Sequence, residues 1–149
     1  MKYYFAYGSN MDEVQMRERC PESRLVGPAL LENYRVAFTI FSPRRKCGCA
    51  DVIPSPGQVV PGLLYEVSER DIENLDRYEN VANDIYRRIE VQVITHHTVV
   101  AQCQIYEVVH KTEALLPSKE YLGIMRDAAN KFSFPDEYRR FLAETVTVD

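Results

Sequence analysis

The stretch Tyr4-Phe5-Ala6-Tyr7-Gly8-Ser9-Asn10-Met11 opens the chain with an aromatic, apolar run that stops abruptly in a small polar tripeptide. Residues 2–7 are short and aromatic-rich, the composition of a strand. Gly8-Ser9-Asn10 then supplies a tight loop, with one residue free to take positive φ and two whose side chains bond nearby backbone. Such a loop can turn successive N–H groups into a concavity that holds an anionic or polarised oxygen. Read by itself, the tripeptide is first of all an ordinary turn at the end of a strand.

Outward from this loop, residues 12–19 read as a short helix with an irregular apolar stripe, ended by Cys20-Pro21 because a residue before proline resists helical geometry. Residues 34–41 alternate apolar with smaller or polar side chains, as a strand does. Residues 47–53 form a second such run, closed by Pro54-Ser55-Pro56-Gly57, a strong turn signal. Residues 59–67 follow as a strand in which Gly62 marks a bulge or a close backbone approach. Ser68, with Asp71 three residues on, is a helix start. Residues 86–95 and 99–109 are two long strands joined by a turn holding His96 and His97. Residues 121–131 are helical, and Pro135 opens a last helix whose apolar face is Tyr138, Phe141 and Leu142. About six strands and three or four helices predict one α+β domain over residues 1–149. Its sheet is expected to be mixed but largely antiparallel, and curled or closed into a small β-barrel.

At 149 residues and a net charge of −4, with basic residues scattered, the chain has the balance of a globular domain and no nucleic-acid face. Arg44-Arg45-Lys46, the densest basic patch, is too short to argue otherwise and reads as a solvated turn. No apolar stretch reaches the roughly 20 residues that span a bilayer. Lys2 is followed at once by a strand-like run rather than a signal peptide, so a cytoplasmic protein is expected. Cys20, Cys47, Cys49 and Cys103 do not form a disulfide framework in a chain this long, and Cys47-Gly48-Cys49 lacks partners for a metal. No metal or cofactor is expected.

Glu79 stands where the helical pattern Ile72, Leu75 (i, i+3, i+7) asks for an apolar residue. Burial and the negative end of the helix dipole would both disfavour its charged form, giving the profile of a general acid/base. The alternative is an earlier helix end, with Glu79 in water or paired with Arg87 or Arg88. Ser9 as a nucleophile lacks a base, since His96, His97 and His110 sit in a turn or at a strand end.

Taken together, these segments resemble the γ-glutamylcyclotransferase family. The opening octapeptide is similar to its N-terminal signature. Gly62-Leu63-Leu64-Tyr65-Glu66-Val67, Leu75-Asp76-Arg77-Tyr78-Glu79 and residues 86–93 look like its central block in the same order. Leu116-Pro117-Ser118-Lys119-Glu120-Tyr121 and Phe134-Pro135-Asp136-Glu137-Tyr138 resemble its C-terminal segment. The resemblance implies that Glu79 is the catalytic acid/base. It further implies that Tyr7, Gly8, Ser9, Asn10, Tyr86 and Tyr121 line the substrate pocket. Where the family has Gly-Ala, this chain reads Asp127-Ala128, which predicts a differently shaped pocket floor.

The reaction so implied is an intramolecular aminolysis of a small γ-glutamyl compound, releasing 5-oxoproline and an amine or amino acid. It needs no cofactor. The substrate could be a γ-glutamyl amino acid, glutathione, a γ-glutamylamine or a γ-glutamyl protecting group in a biosynthetic route. The competing reading is a noncatalytic small-molecule-binding module of the same fold. A homodimer is compatible with either.

Overall fold

A computed structural model describes residues 1–149, and its centre is a closed barrel of five strands. In chain order these are β1 (Lys2–Ala6), β2 (Arg24–Ser42), β3 (Cys47–Val67), β4 (Tyr86–Ile94) and β5 (Val99–Val108). Four helices accompany them: α1 (Glu13–Arg19), α2 (Glu69–Tyr78), α3 (Lys119–Lys131) and α4 (Asp136–Glu144). The strand order is β1-β3-β2-β4-β5, antiparallel throughout except where β1 lies parallel to β5, pairing Tyr3 with Cys103 and Tyr4 with Gln104. That one parallel contact closes the sheet and removes its edges. The α+β barrel predicted by the sequence is therefore the fold.

The strands number five rather than six because residues 47–53 and 59–67 are one strand. Pro54-Ser55-Pro56-Gly57 does not end it. Tyr34 pairs with Pro54 and Glu32 with Val59, so the intervening residues bulge out of a ribbon that continues on both sides. Asn33 accommodates this from the opposite strand. It takes a left-handed conformation (φ 66°), and its side-chain oxygen accepts a hydrogen bond from the Gly57 amide at 3.0 Å. The same ribbon extends β2 back to Arg24, across Gly27 and Pro28, residues that ordinarily punctuate strands.

Gly62 packs against β1 so closely that a Cβ there would lie 2.5 Å from the Ala6 carbonyl oxygen and the Phe5 ring. Only glycine lets these two strands meet at that height. The far half of the β2–β3 ribbon is tied to β5 through Asp51, which is wholly buried. Its carboxylate accepts from Thr39 Oγ1 (2.8 Å), the amides of Val52 and Val108 (both 2.9 Å) and Lys111 Nζ (2.7 Å). Every acceptor position thus has a donor, the condition for burying a charge. Helices α3 and α4 cover the barrel with Tyr121, Leu122, Met125, Tyr138 and Leu142. The four cysteines are free and buried, and no helix is long and apolar enough to cross a membrane.

Candidate active site

Helix α2 begins as its sequence dictates. The Ser68 hydroxyl accepts from the Asp71 amide (3.0 Å), and the Asp71 carboxylate accepts from the Ser68 amide (3.2 Å), a reciprocal capping box. Ile72 and Leu75 are buried and hold the helix to the barrel, each contributing roughly 1.5–3 kcal/mol. The last helical residue is Tyr78. Glu79 caps the end, its amide donating to the Leu75 carbonyl at 2.9 Å, and Asn80 then turns left-handed (φ 52°) and stops the helix. This fixes Glu79 at the lip of the barrel.

Glu79 lines a cavity of about 640 Å³. Tyr7, Gly8, Ser9, Asn10, Tyr86 and Tyr121 line the same cavity, so all seven candidate residues from four separate segments meet in one place. The Glu79 carboxyl has no hydrogen bond or ion pair with any side chain; Arg88 instead pairs with Asp76 (3.1 Å) and Arg87 with Glu107 (2.6 Å). Burial pushes the Glu79 pKa up to about 7, and the guanidinium groups of Arg19 and Arg45 hold it from rising further.

The loop after β1 differs from its sequence reading in one respect. Gly8 has φ −118°, so positive φ is not the reason for glycine. A Cβ would sit 2.9 Å from the Tyr121 hydroxyl, which is what the position forbids. Ser9–Met11 winds into a single 3₁₀ turn, using the amides of Met11 and Asp12 and leaving those of Gly8, Ser9 and Asn10 without protein acceptors. The tyrosines are anchored to backbone. Tyr7 Oη donates to the Tyr106 carbonyl (2.6 Å), Tyr86 Oη donates to the Ala50 carbonyl (3.4 Å), and Tyr121 Oη accepts from the Ala50 amide (3.0 Å). Burial raises the pKa of all three, so they stay neutral.

Three residues of consequence escape the sequence. Arg45 is not a solvated turn residue. It reaches into the cavity, with its guanidinium 5.3 Å from the Tyr121 ring centre and bonded to Gln15 Oε1 (2.9 Å). Arg19 stacks 4.5 Å over Tyr78 and donates to Asn10 Oδ1 (3.2 Å). Gln15 links the two by way of Asn10, donating to Asn10 Oδ1 at 2.9 Å. The one available signal was an Arg-Arg pair inside a short hairpin turn, a pattern shared by countless exposed turns. Conversely, Asp127 is exposed and does not line the cavity, so the departure from Gly-Ala lies away from its floor. No histidine lines it either.

Residues 59–142 match the AIG2-like family. Mouse γ-glutamylcyclotransferase is 30% identical over 143 residues, covering 93% of this chain and 76% of the mouse protein. A solved γ-glutamyl cyclotransferase structure superposes with a TM-score of 0.91 at 27% identity, over 99% of this chain and 89% of that one. A yeast γ-glutamyl cyclotransferase described as specific to glutathione shares the fold (TM-score 0.64, 16% identity), over 97% of this chain and 95% of that one.

Proposed function

The chain belongs to the AIG2-like, γ-glutamylcyclotransferase family of enzymes, and from that premise we propose that it cyclises a small γ-glutamyl compound to 5-oxoproline with Glu79 as the general acid/base. The observation carrying this reading is a carboxyl group with a pKa of about 7, unpaired, facing a cavity that also holds the Gly8-Ser9-Asn10 loop. The substrate's α-amine attacks its own γ-carbonyl carbon. A C–N bond forms, closing the five-membered lactam, and the C–N bond to the departing amine breaks. Glu79 takes the proton that the attacking nitrogen sheds and returns it to the leaving nitrogen, so no proton is consumed overall. Its pKa near the operating pH suits both halves of that exchange. Nucleophile and electrophile share one molecule, so the cavity's main task is to hold the chain folded for attack.

The three acceptor-free amides at Gly8, Ser9 and Asn10 suit an anionic oxygen, either the α-carboxylate or the oxyanion of the tetrahedral intermediate. Four free cysteines are in keeping with a reducing compartment, and we place the reaction in the cytoplasm. The test is to incubate the purified chain with γ-glutamyl dipeptides, glutathione and γ-glutamylamines and measure 5-oxoproline. At least one should turn over, with kcat/KM rising through an apparent pKa near 7 as Glu79 ionises. No 5-oxoproline from any member of the panel would leave the fold without this activity.

A further inference from the structure

We infer that Gln15, oriented by Arg45, is a positioning residue that makes the Ser9 hydroxyl a hydrogen-bond donor toward an anionic oxygen of the ligand. A guanidinium has only donors, whereas a side-chain amide has a donor end and an acceptor end. Arg45 bonds Gln15 at 2.9 Å, so the acceptor end, Oε1, must face Arg45. Both hydrogens of Nε2 then point the other way, to Ser9 Oγ and to Asn10 Oδ1, each at 2.9 Å. Ser9 is thereby the acceptor in that bond. Its own hydrogen meets no acceptor in the protein, and its side chain borders the cavity.

A second arginine sets the neighbouring group in the same sense. Arg19 donates to Asn10 Oδ1 (3.2 Å), which turns Asn10 Nδ2 toward Tyr4 Oη (2.9 Å). Tyr4 also accepts, also borders the cavity, and also has no protein acceptor for its hydrogen. The bonds therefore run from two cations through two amides to two hydroxyls, and the Gln15–Asn10 bond ties the two paths together. A wall that offers only donors recognises an acceptor. On the functional reading above, on which this inference rests, that acceptor is the carboxylate or the developing oxyanion of the γ-glutamyl group. A hydrogen bond to a charged partner of this kind is worth roughly ten- to hundredfold in affinity or rate.

The experiment compares wild type, Ser9→Ala, Gln15→Glu, the double variant and Arg45→Met. Readouts are kcat/KM for 5-oxoproline release and the calorimetric Kd for 5-oxoproline, both taken on the alkaline plateau of each variant's own pH profile, because Arg45 itself lowers the Glu79 pKa. Glutamate at position 15 presents acceptors to Ser9 and draws its hydroxyl away from the ligand. Ser9→Ala and Gln15→Glu should each cost roughly ten- to hundredfold. The double variant should be no more than about threefold worse than the worse single one, because both remove one bond. Arg45→Met, with thermal unfolding followed alongside to confirm an intact fold, should cost about three- to tenfold, because Asn10 still holds one end of Gln15. Arg45→Lys, which keeps a donor, should recover most of that.

Losses that multiply in the double variant would overturn the inference. So would Gln15→Glu or Arg45→Met with wild-type constants. A wild-type chain that binds 5-oxoproline but releases none sinks the functional reading alone, and the Kd series then decides the role of Gln15. A chain without affinity for 5-oxoproline sinks both.

Discussion

Two carboxylates lie within the same end of the barrel and have opposite surroundings. Asp51 is sealed from water and receives four donors, among them the Lys111 ammonium. Glu79 is half-buried and receives none. Asp51 is a structural anion that joins β2, β3 and β5. Glu79 is left under-solvated, and its proton affinity rises accordingly. Burial alone does not make a proton carrier, since the more deeply buried of the two is the one with its charge fully matched. What matters is burial without partners, beside space for a ligand.

This contrast breaks first if Glu79 is dispensable. Glu79→Gln keeps the shape and removes the exchangeable proton, so 5-oxoproline release should fall at least about 10²–10⁴-fold, the scale of general acid–base catalysis. Retention of more than a tenth of the wild-type rate would take Glu79 out of the chemistry. Next in size is Lys111→Met, which leaves the Asp51 anion buried with neutral donors only. A loss of about 3 kcal/mol is expected in urea unfolding, against less than 1 kcal/mol were the pair equivalent to a surface one.

On the Glu79 side of the contrast, stability is tied to pH. Glu79 has a folded-state pKa raised to about 7 from 4.5, so the folded state binds its proton more tightly. Its contribution is fullest below pH 4.5 and is lost as the pH rises through 7. Glu79→Gln should therefore be more stable than wild type at pH 8, by about 1–3 kcal/mol, with the difference vanishing toward pH 4. An inactive yet more stable variant is the signature of a residue kept for chemistry. Equal stability at both pH values would mean that Glu79 is freely hydrated.

Much of this was legible in the chain. The Ser68–Asp71 capping box and the Ile72–Leu75 stripe are local signals, and they put Glu79 in register with the buried side of the helix, leaving open only whether the helix ended earlier. Gly62 marked a bulge or a close approach, and its packing against Phe5 and Ala6 is the second of these. Pro54-Ser55-Pro56-Gly57 misled, because the composition of a turn and that of a wide bulge are the same. What separates them is Asn33, some twenty residues earlier, whose side chain holds the bulge inside a continuous ribbon. The Arg44-Arg45-Lys46 turn misled for a similar reason: nothing beside it tells that Arg44 and Arg45 border the cavity.

Residue order along the chain was enough to specify the helices, most of the strand residues and an acid out of place, since hydrophobic period, caps and breakers act over a few residues. Only the closed barrel decided that this acid lacks a partner, that Arg19 and Arg45 flank it, and that Gln15 stands between Arg45 and Ser9. Those relations join positions up to some sixty residues apart, and their direction depends on which end of an amide meets a cation in space, a matter that local propensity does not encode.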